Sequence, residues 1–119
     1  MQVSRIAVVA IAALGIFSAG LVQAQEKAKE RAPVIKVLLE NDKVRVTQST
    51  FKPGDVSTAK RVARVNYIIK GGTFERTSPE GKKSRYERKA GTAVWLDGDS
   101  DTVVNVGKTT IVLVSVANK

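Results

Sequence analysis

Three aspartates alternate at positions 97, 99 and 101, inside "VWLDGDSDTVVNVG" (94–107). Carboxylates at that spacing suit three kinds of chemistry: a calcium loop, a remnant of a metal motif, or a turn that hydrogen-bonds its own backbone. An EF-hand is excluded, because it needs glycine at the sixth position of the loop and a bidentate glutamate at the twelfth. Those places hold Thr102 and Lys108. A partly hydrated calcium site on Asp97, Asp99 and Asp101 remains an alternative. For Asp97 and Asp99 the expectation is a self-bonded turn, which Asp-Gly sequences form readily.

Other catalytic sets are thin. The 119-residue chain has no histidine and no cysteine, so the usual nucleophile–base pairs and histidine-rich metal shells are missing. Lys60, if desolvated, could act as a base, and Asp101 could move protons. Nothing in their spacing lifts these roles above background, and the chain is read as non-catalytic.

The elements that position these residues follow from the pattern of valine, isoleucine and threonine, which fit a pleated half-buried surface. Strands are expected at 34–40, 44–51, 64–70, 73–78, 84–89, 90–96, 102–107 and 109–117. "KPGD" (52–55) and "PEGK" (79–82) supply turns with proline and glycine at the corners. "VSTAKRVAR" (56–64) is assigned to loop or strand. About eight short antiparallel strands with turn signals every 8–12 residues indicate an all-β sandwich or barrel.

Before the strands lies an export signal. Arg5 precedes the apolar run "IAVVAIAALGIFSAGLV", and Val22 and Ala24 stand where a signal peptidase requires small residues. The chain is therefore divided into a signal peptide (1–24), a charged flexible tail (25–33) and a folded domain (34–119). An uncleaved anchor is the alternative, although the run falls short of the roughly 18–20 residues that span a bilayer. The protein is expected to be periplasmic or secreted, meeting the membrane only through the signal segment before cleavage.

The formal charge is +9, with basic clusters at 59–64 and 82–89. Such a balance attracts anions. Export argues against nucleic acid, and the single tyrosine among the basic residues, Tyr86, makes no stacking platform of the kind single strands need. A small anionic molecule fits, and so does an acidic lipid surface contacted by Lys60, Arg61, Arg64, Lys82, Lys83, Arg85, Arg88 and Lys89.

In order, "ENDKVRV", "KPGD", "YIIKGG", "EGK", "AGTAVW" and "NVGKT" before a final apolar strand resemble a small single-domain cupin over nearly all of the folded region. The resemblance implies a double-stranded jelly-roll β-barrel, and in metal-binding members a transition metal held inside it by two histidines and a glutamate of a first motif and a histidine of a second. Counted from Gly54, the first-motif histidine positions fall on Lys60 and Val62. Counted back from Gly71 and Gly72, they fall on Ala59 and Arg61. The glutamate position falls within Arg64–Tyr67, where no residue is acidic. In the second motif Gly98 and Asn105 match, Leu96 replaces a proline, Ala90 stands at the opening glycine and Asp101 stands at the histidine.

The resemblance thus implies a barrel with degenerate metal motifs, and no metal or cofactor is expected. Asp101 is expected to pair with Lys60 or Arg61 where the ion would sit. Candidate ligand-binding residues are Lys60, Arg61, Tyr67, Trp95, Asp101 and Asn105, with Tyr67 and Trp95 as pocket walls or ordinary core aromatics. A small-molecule ligand and a homodimer complete the expected partners. The competing function is a metal-dependent cupin enzyme or sensor that uses carboxylates.

Overall fold

Nine strands carry the chain from Val34 to Asn118: β1 (Val34–Glu40), β2 (Val44–Phe51), β3 (Val56–Ser57), β4 (Arg64–Lys70), β5 (Gly72–Thr77), β6 (Lys83–Arg88), β7 (Ala93–Leu96), β8 (Thr102–Asn105) and β9 (Ile111–Asn118). The computed structural model describes residues 30–119, of which Arg31–Lys119 form one unit. The signal peptide and most of the tail expected from the sequence lie outside the described residues.

The strands form two antiparallel sheets, one ordered β1-β2-β9-β4-β7 and the other β3-β8-β5-β6. Among the described residues there is no helix. The all-β architecture expected from the valine-rich alternation is therefore observed, and its two sheets agree with the jelly roll that the resemblance implied. The eight expected strands are all present, several with the expected ends. The ninth, β3, is two residues within 56–64, and pairs Val56 with Val104 and Ser57 with Val103.

Alternation decides what each sheet presents inward. On β4, Arg64, Asn66 and Ile68 are buried while Val65, Tyr67 and Ile69 face outward. On β5, Phe74 points inward, and Arg76 follows on the same face two residues later. The apolar core is small: Phe51, Ile68, Phe74, Val103, Ile111 and Leu113, with Tyr86 packed against it. Phe51 and Phe74 meet edge to face, with ring centroids 5.0 Å apart, an arrangement that the ring quadrupoles favour.

Turns close where the sequence placed them. Gly54 and Gly81 adopt positive φ (89° and 92°), which costs a residue with a side chain far more than glycine. In the first turn the Asp55 amide donates to the Lys52 carbonyl (2.9 Å), and the Asp55 carboxylate accepts from the Lys52 amide (2.8 Å). Asp55 is buried and also accepts from Arg31 Nε (3.0 Å), while the Arg31 carbonyl accepts from the Val56 amide (2.7 Å). Arg31, within the stretch 25–33, is thus fastened to the turn.

The turn is in turn tied to β8. The Gly54 amide donates to the Asn105 carbonyl (2.8 Å), and the Asn105 amide to the Asp55 carbonyl (3.1 Å). These bonds hold one end of the barrel in a fixed frame.

Candidate functional site: an arginine–aspartate cluster at the barrel mouth

Two loops meet through a single reciprocal pair of backbone bonds. The Arg61 amide donates to the Asp99 carbonyl (2.8 Å), and the Asp99 amide to the Arg61 carbonyl (2.9 Å). This isolated antiparallel bridge sets the Arg61 and Asp99 side chains opposite each other. Gly98 permits the approach, because a Cβ there would lie 3.2 Å from the Arg61 carbonyl oxygen.

Around this bridge three guanidiniums close on two carboxylates. Asp99 accepts from Arg61 Nη2 (3.0 Å) and Arg64 Nη1 (3.3 Å), and Arg76 Nη1 lies 3.3 Å away. Asp101 accepts from Arg76 Nη1 (3.2 Å). Arg61 also donates to the Asp101 backbone carbonyl and to Ser57 Oγ (2.8 Å). Arg64 Nη1 donates to the carbonyls of Val62 (3.0 Å) and Asp97 (3.4 Å), and Arg76 Nη2 to the Tyr86 hydroxyl (3.3 Å).

All five side chains are largely buried, Arg64 most of all at 7% exposed. Burial works to raise the pKa of Asp99, but the Asp101 amide and the guanidiniums of Arg61, Arg76 and Arg64 outweigh it and hold the carboxyl below its ordinary value. Burial pushes Arg64 down, and Asp99 partly restores it. A guanidinium nevertheless stays protonated in a protein.

Two hollows adjoin the cluster. The inner one, about 110 Å³, is lined by Ile35, Phe51, Phe74, Val103 and Leu113, with Ser49, Asn66 and Ser115 among its polar residues. The outer one, about 300 Å³, is lined by Arg45, Thr47, Lys60, Val62 and Ala117 among others. Arg61 and Arg64 line both. Among the described residues, Arg61 Nε is the buried side-chain nitrogen or oxygen that lacks a hydrogen-bond partner. A polar atom left in that state costs free energy unless something fills the gap.

The six residues singled out from the sequence fall in three different places. Arg61, Lys60 and Asp101 gather at the cluster or the outer hollow. The pairing expected across the two motifs is present in altered form: Arg61 binds the carboxylate of Asp99 and only the backbone of Asp101, whose carboxylate goes to Arg76. Asp99 does bond the Asp101 amide (3.1 Å), as a self-bonded turn does, but its main partners are the arginines.

Asn105, 1% exposed, lines neither hollow. Its Nδ2 donates to the carbonyls of Phe51 (2.9 Å) and Thr109 (2.8 Å), and its Oδ1 accepts from the Gly107 amide (3.0 Å). Its bonds fasten strand ends together and leave nothing for a ligand. Tyr67 and Trp95 are neither pocket wall nor core. Both stand on the outer face of the larger sheet, 48% and 61% exposed, and Trp95 Nε1 donates to Asp97 (3.0 Å). Their position in the alternation explains this, since each lies one residue out of phase with the inward Arg64 and Leu96.

Arg76 went unnoticed in the sequence. The signal for it was the period of two, which places Arg76 on the face of Phe74 just as it places Arg64 on the face of Ile68. The basic run 82–89 is partly spent on local contacts. Arg85 pairs with Glu75 (3.2 Å), and Arg88 stacks 4.3 Å from the Tyr86 ring centroid.

The donor set does not fit a transition metal. The chain has no imidazole or thiol, and both carboxylates of the cluster already face guanidiniums whose fixed charge repels a cation. Asp97 accepts from the Trp95 indole, while Asp99 and Asp101 share the Arg76 guanidinium. Among the described residues no group of three or more acidic, histidine or cysteine side chains is placed to hold an ion.

No family model matches the chain, and no curated protein does. Solved structures match it closely in shape. A cupin domain from Bordetella pertussis Tohama I superposes with a TM-score of 0.69 at 22% identity, over 76% of this chain and 97% of that one. The Cupin_2 domain of an XRE family transcriptional regulator from Enterobacter cloacae gives 0.56 at 19% identity, over 72% and 95%. A polyketide cyclase from Streptomyces resistomycificus gives 0.56 at 17%, over 76% and 70%. The chain therefore has the cupin fold, the double-stranded β-helix that the sequence resemblance implied. It is a small single-barrel example of that fold with an arginine–aspartate cluster at the mouth.

Proposed function

We propose that the protein is an exported, non-catalytic cupin-fold domain that binds a small anionic ligand in its barrel, in place of the metal that the resemblance to metal-binding cupins implies. One observation carries this: three guanidiniums face two carboxylates beside a hollow, so the cluster holds one uncompensated positive charge, and Arg61 Nε lacks an acceptor. Desolvated charge of this kind favours an anion that completes it.

Catalysis has less support. Ser57 Oγ accepts from Arg61, and Ser115 Oγ donates to Asn66 (2.6 Å), so neither hydroxyl is held by a base. The matching structures include a cyclase and a domain of a transcriptional regulator, and the fold alone selects no activity.

The test is thermal unfolding of purified protein against a panel of small anions, with calcium, manganese and zinc chlorides in parallel. Saturable stabilisation by an anion, and none by the cations, is the expected outcome. Saturable stabilisation by a metal ion alone would overturn the proposal. Export is tested separately, by the mass of the protein recovered from the periplasm or medium, which should correspond to a chain starting at Gln25.

We also propose that the domain pairs with a second copy of itself through β1. That strand is an edge of its sheet, and Val34, Ile35, Val37, Leu38 and Leu39 are all 46–66% exposed. Antiparallel pairing of two β1 strands about a two-fold axis would close both edges in one step.

A further inference from the structure

We infer that the ligand of the barrel is a short apolar monocarboxylic acid, with its carboxylate at Arg61 and Arg64 and its tail in the inner hollow. This rests on the anion-binding function proposed above and narrows it in charge, head group and tail.

The charge is set by the cluster. Arg61, Arg64 and Arg76 meet Asp99 and Asp101, which leaves an excess of one. A monoanion cancels that excess. A dianion such as hydrogen phosphate would bring a second negative charge beside two buried carboxylates, where repulsion is strong because the surroundings are poorly solvated.

The head group is set by the free donors. Arg61 Nε has no acceptor, and the bonds that Arg64 donates to the described residues all leave from Nη1. A planar carboxylate offers two oxygens to such N–H groups and forms short charge-assisted bonds with them. Both arginines line both hollows, so a carboxylate between them has an open approach from the outer hollow and an apolar space beyond.

The tail is set by the inner hollow. Ile35, Phe51, Phe74, Val103 and Leu113 make its wall largely aliphatic and aromatic. A space of about 110 Å³ accommodates about four methylene-sized groups, at the roughly 30 Å³ that a water-sized group occupies in a liquid. Of its polar residues, Asn66 and Ser115 bond each other and Ser57 accepts from Arg61, which leaves Ser49 as a lone hydroxyl in a mainly apolar wall. A sugar or a polyol would set most of its hydroxyls against the phenyl rings and aliphatic side chains, which is costly.

The experiment is calorimetric titration of purified protein at pH 7 and fixed ionic strength with sodium acetate, butyrate, pentanoate, hexanoate and octanoate, together with hexanamide and inorganic phosphate. Affinity should rise roughly fourfold per added methylene, as burial of about 0.8 kcal/mol per methylene requires. The rise should stop near pentanoate or hexanoate, when the hollow is full. Hexanamide, which lacks the charge, should bind at least tenfold more weakly than hexanoate. Arg61→Gln should remove the preference of hexanoate over hexanamide. The comparison among ligands on the unaltered protein stands even if that variant fails to fold.

Acetate and phosphate binding as tightly as hexanoate would overturn the apolar tail and leave the anion site intact. Hexanamide binding as tightly as hexanoate would overturn carboxylate recognition. An absence of binding by every anion in the series would overturn the proposed function as well.

Discussion

Asp99 is the residue on which most of the cluster depends. It accepts from or faces all three arginines, and its backbone makes the bridge to Arg61. Removing its charge leaves three guanidiniums against one carboxylate. Asp99→Asn should therefore destabilise the protein by about 2–4 kcal/mol in urea unfolding, somewhat less than a fully buried pair loses when one partner is removed. Asp97→Asn, whose carboxylate meets only the exposed Trp95 indole among the described side chains, should stay within about 0.5 kcal/mol of the unaltered protein. Equal effects would show that the cluster contributes no more than a surface turn.

The same residue gives a pH dependence of definite sign. The Asp99 carboxyl titrates below its ordinary value in the folded state, so unfolding takes up a proton as the medium becomes acid. Its contribution is complete above the unfolded aspartate value of about 3.9, and is lost as pH falls from there through the lower folded value. The gap in stability between the unaltered protein and Asp99→Asn should be constant from pH 7 to 5 and shrink below about pH 4. A gap that instead grew in acid would contradict the assignment.

At the scale of elements, the barrel depends on close approach at the β4–β5 corner. A Cβ at Gly71 would collide with the Arg88 carbonyl, and one at Gly72 would lie 2.6 Å from Ile111 Cγ1, inside the core. The obstacle at Gly71 is backbone, which cannot rotate away, whereas Ile111 is a side chain with some freedom. Gly71→Ala should cost at least about 1–3 kcal/mol, the range seen for overpacking, and more than Gly72→Ala. The reverse order, measured by urea midpoint, would mean that the core is less yielding than the strand β6. Strand positions were legible in the sequence because alternation and turn residues are local. Which loops touch was not, because the 61–99 bridge joins segments 38 residues apart with no pattern of their own.

At the scale of the whole molecule, a core of six buried apolar side chains among the described residues is small for an unaided domain, and five aliphatics of the edge strand β1 are exposed. The purified protein should accordingly run as a dimer in light scattering at micromolar concentration, and Leu38→Lys, placed in the β1 bulge, should shift it to monomer. A monomer at every concentration tested would remove β1 as an interface. The net charge of +9 keeps the chain soluble and draws anions to it. It does not say where they bind, and two arginines of the most conspicuous basic run, Arg85 and Arg88, are occupied by local partners.

By itself the sequence determined the strands, the turns and the all-β class, because a period of two and the φ preferences of glycine and proline act over a few residues, and its resemblance to cupins implied the jelly roll. It also determined that no imidazole or thiol is present to hold a metal. Only the tertiary structure decided which charges meet. Arg61, Arg64, Arg76, Asp99 and Asp101 come from three separate segments, and their convergence depends on strand order and on one backbone bridge. The same holds for the outward placement of Tyr67 and Trp95 and for the bonding of Asn105 to the backbone. Whether a side chain faces a cavity, a partner or solvent is settled by what packs against its strand, and no window of neighbouring residues carries that information.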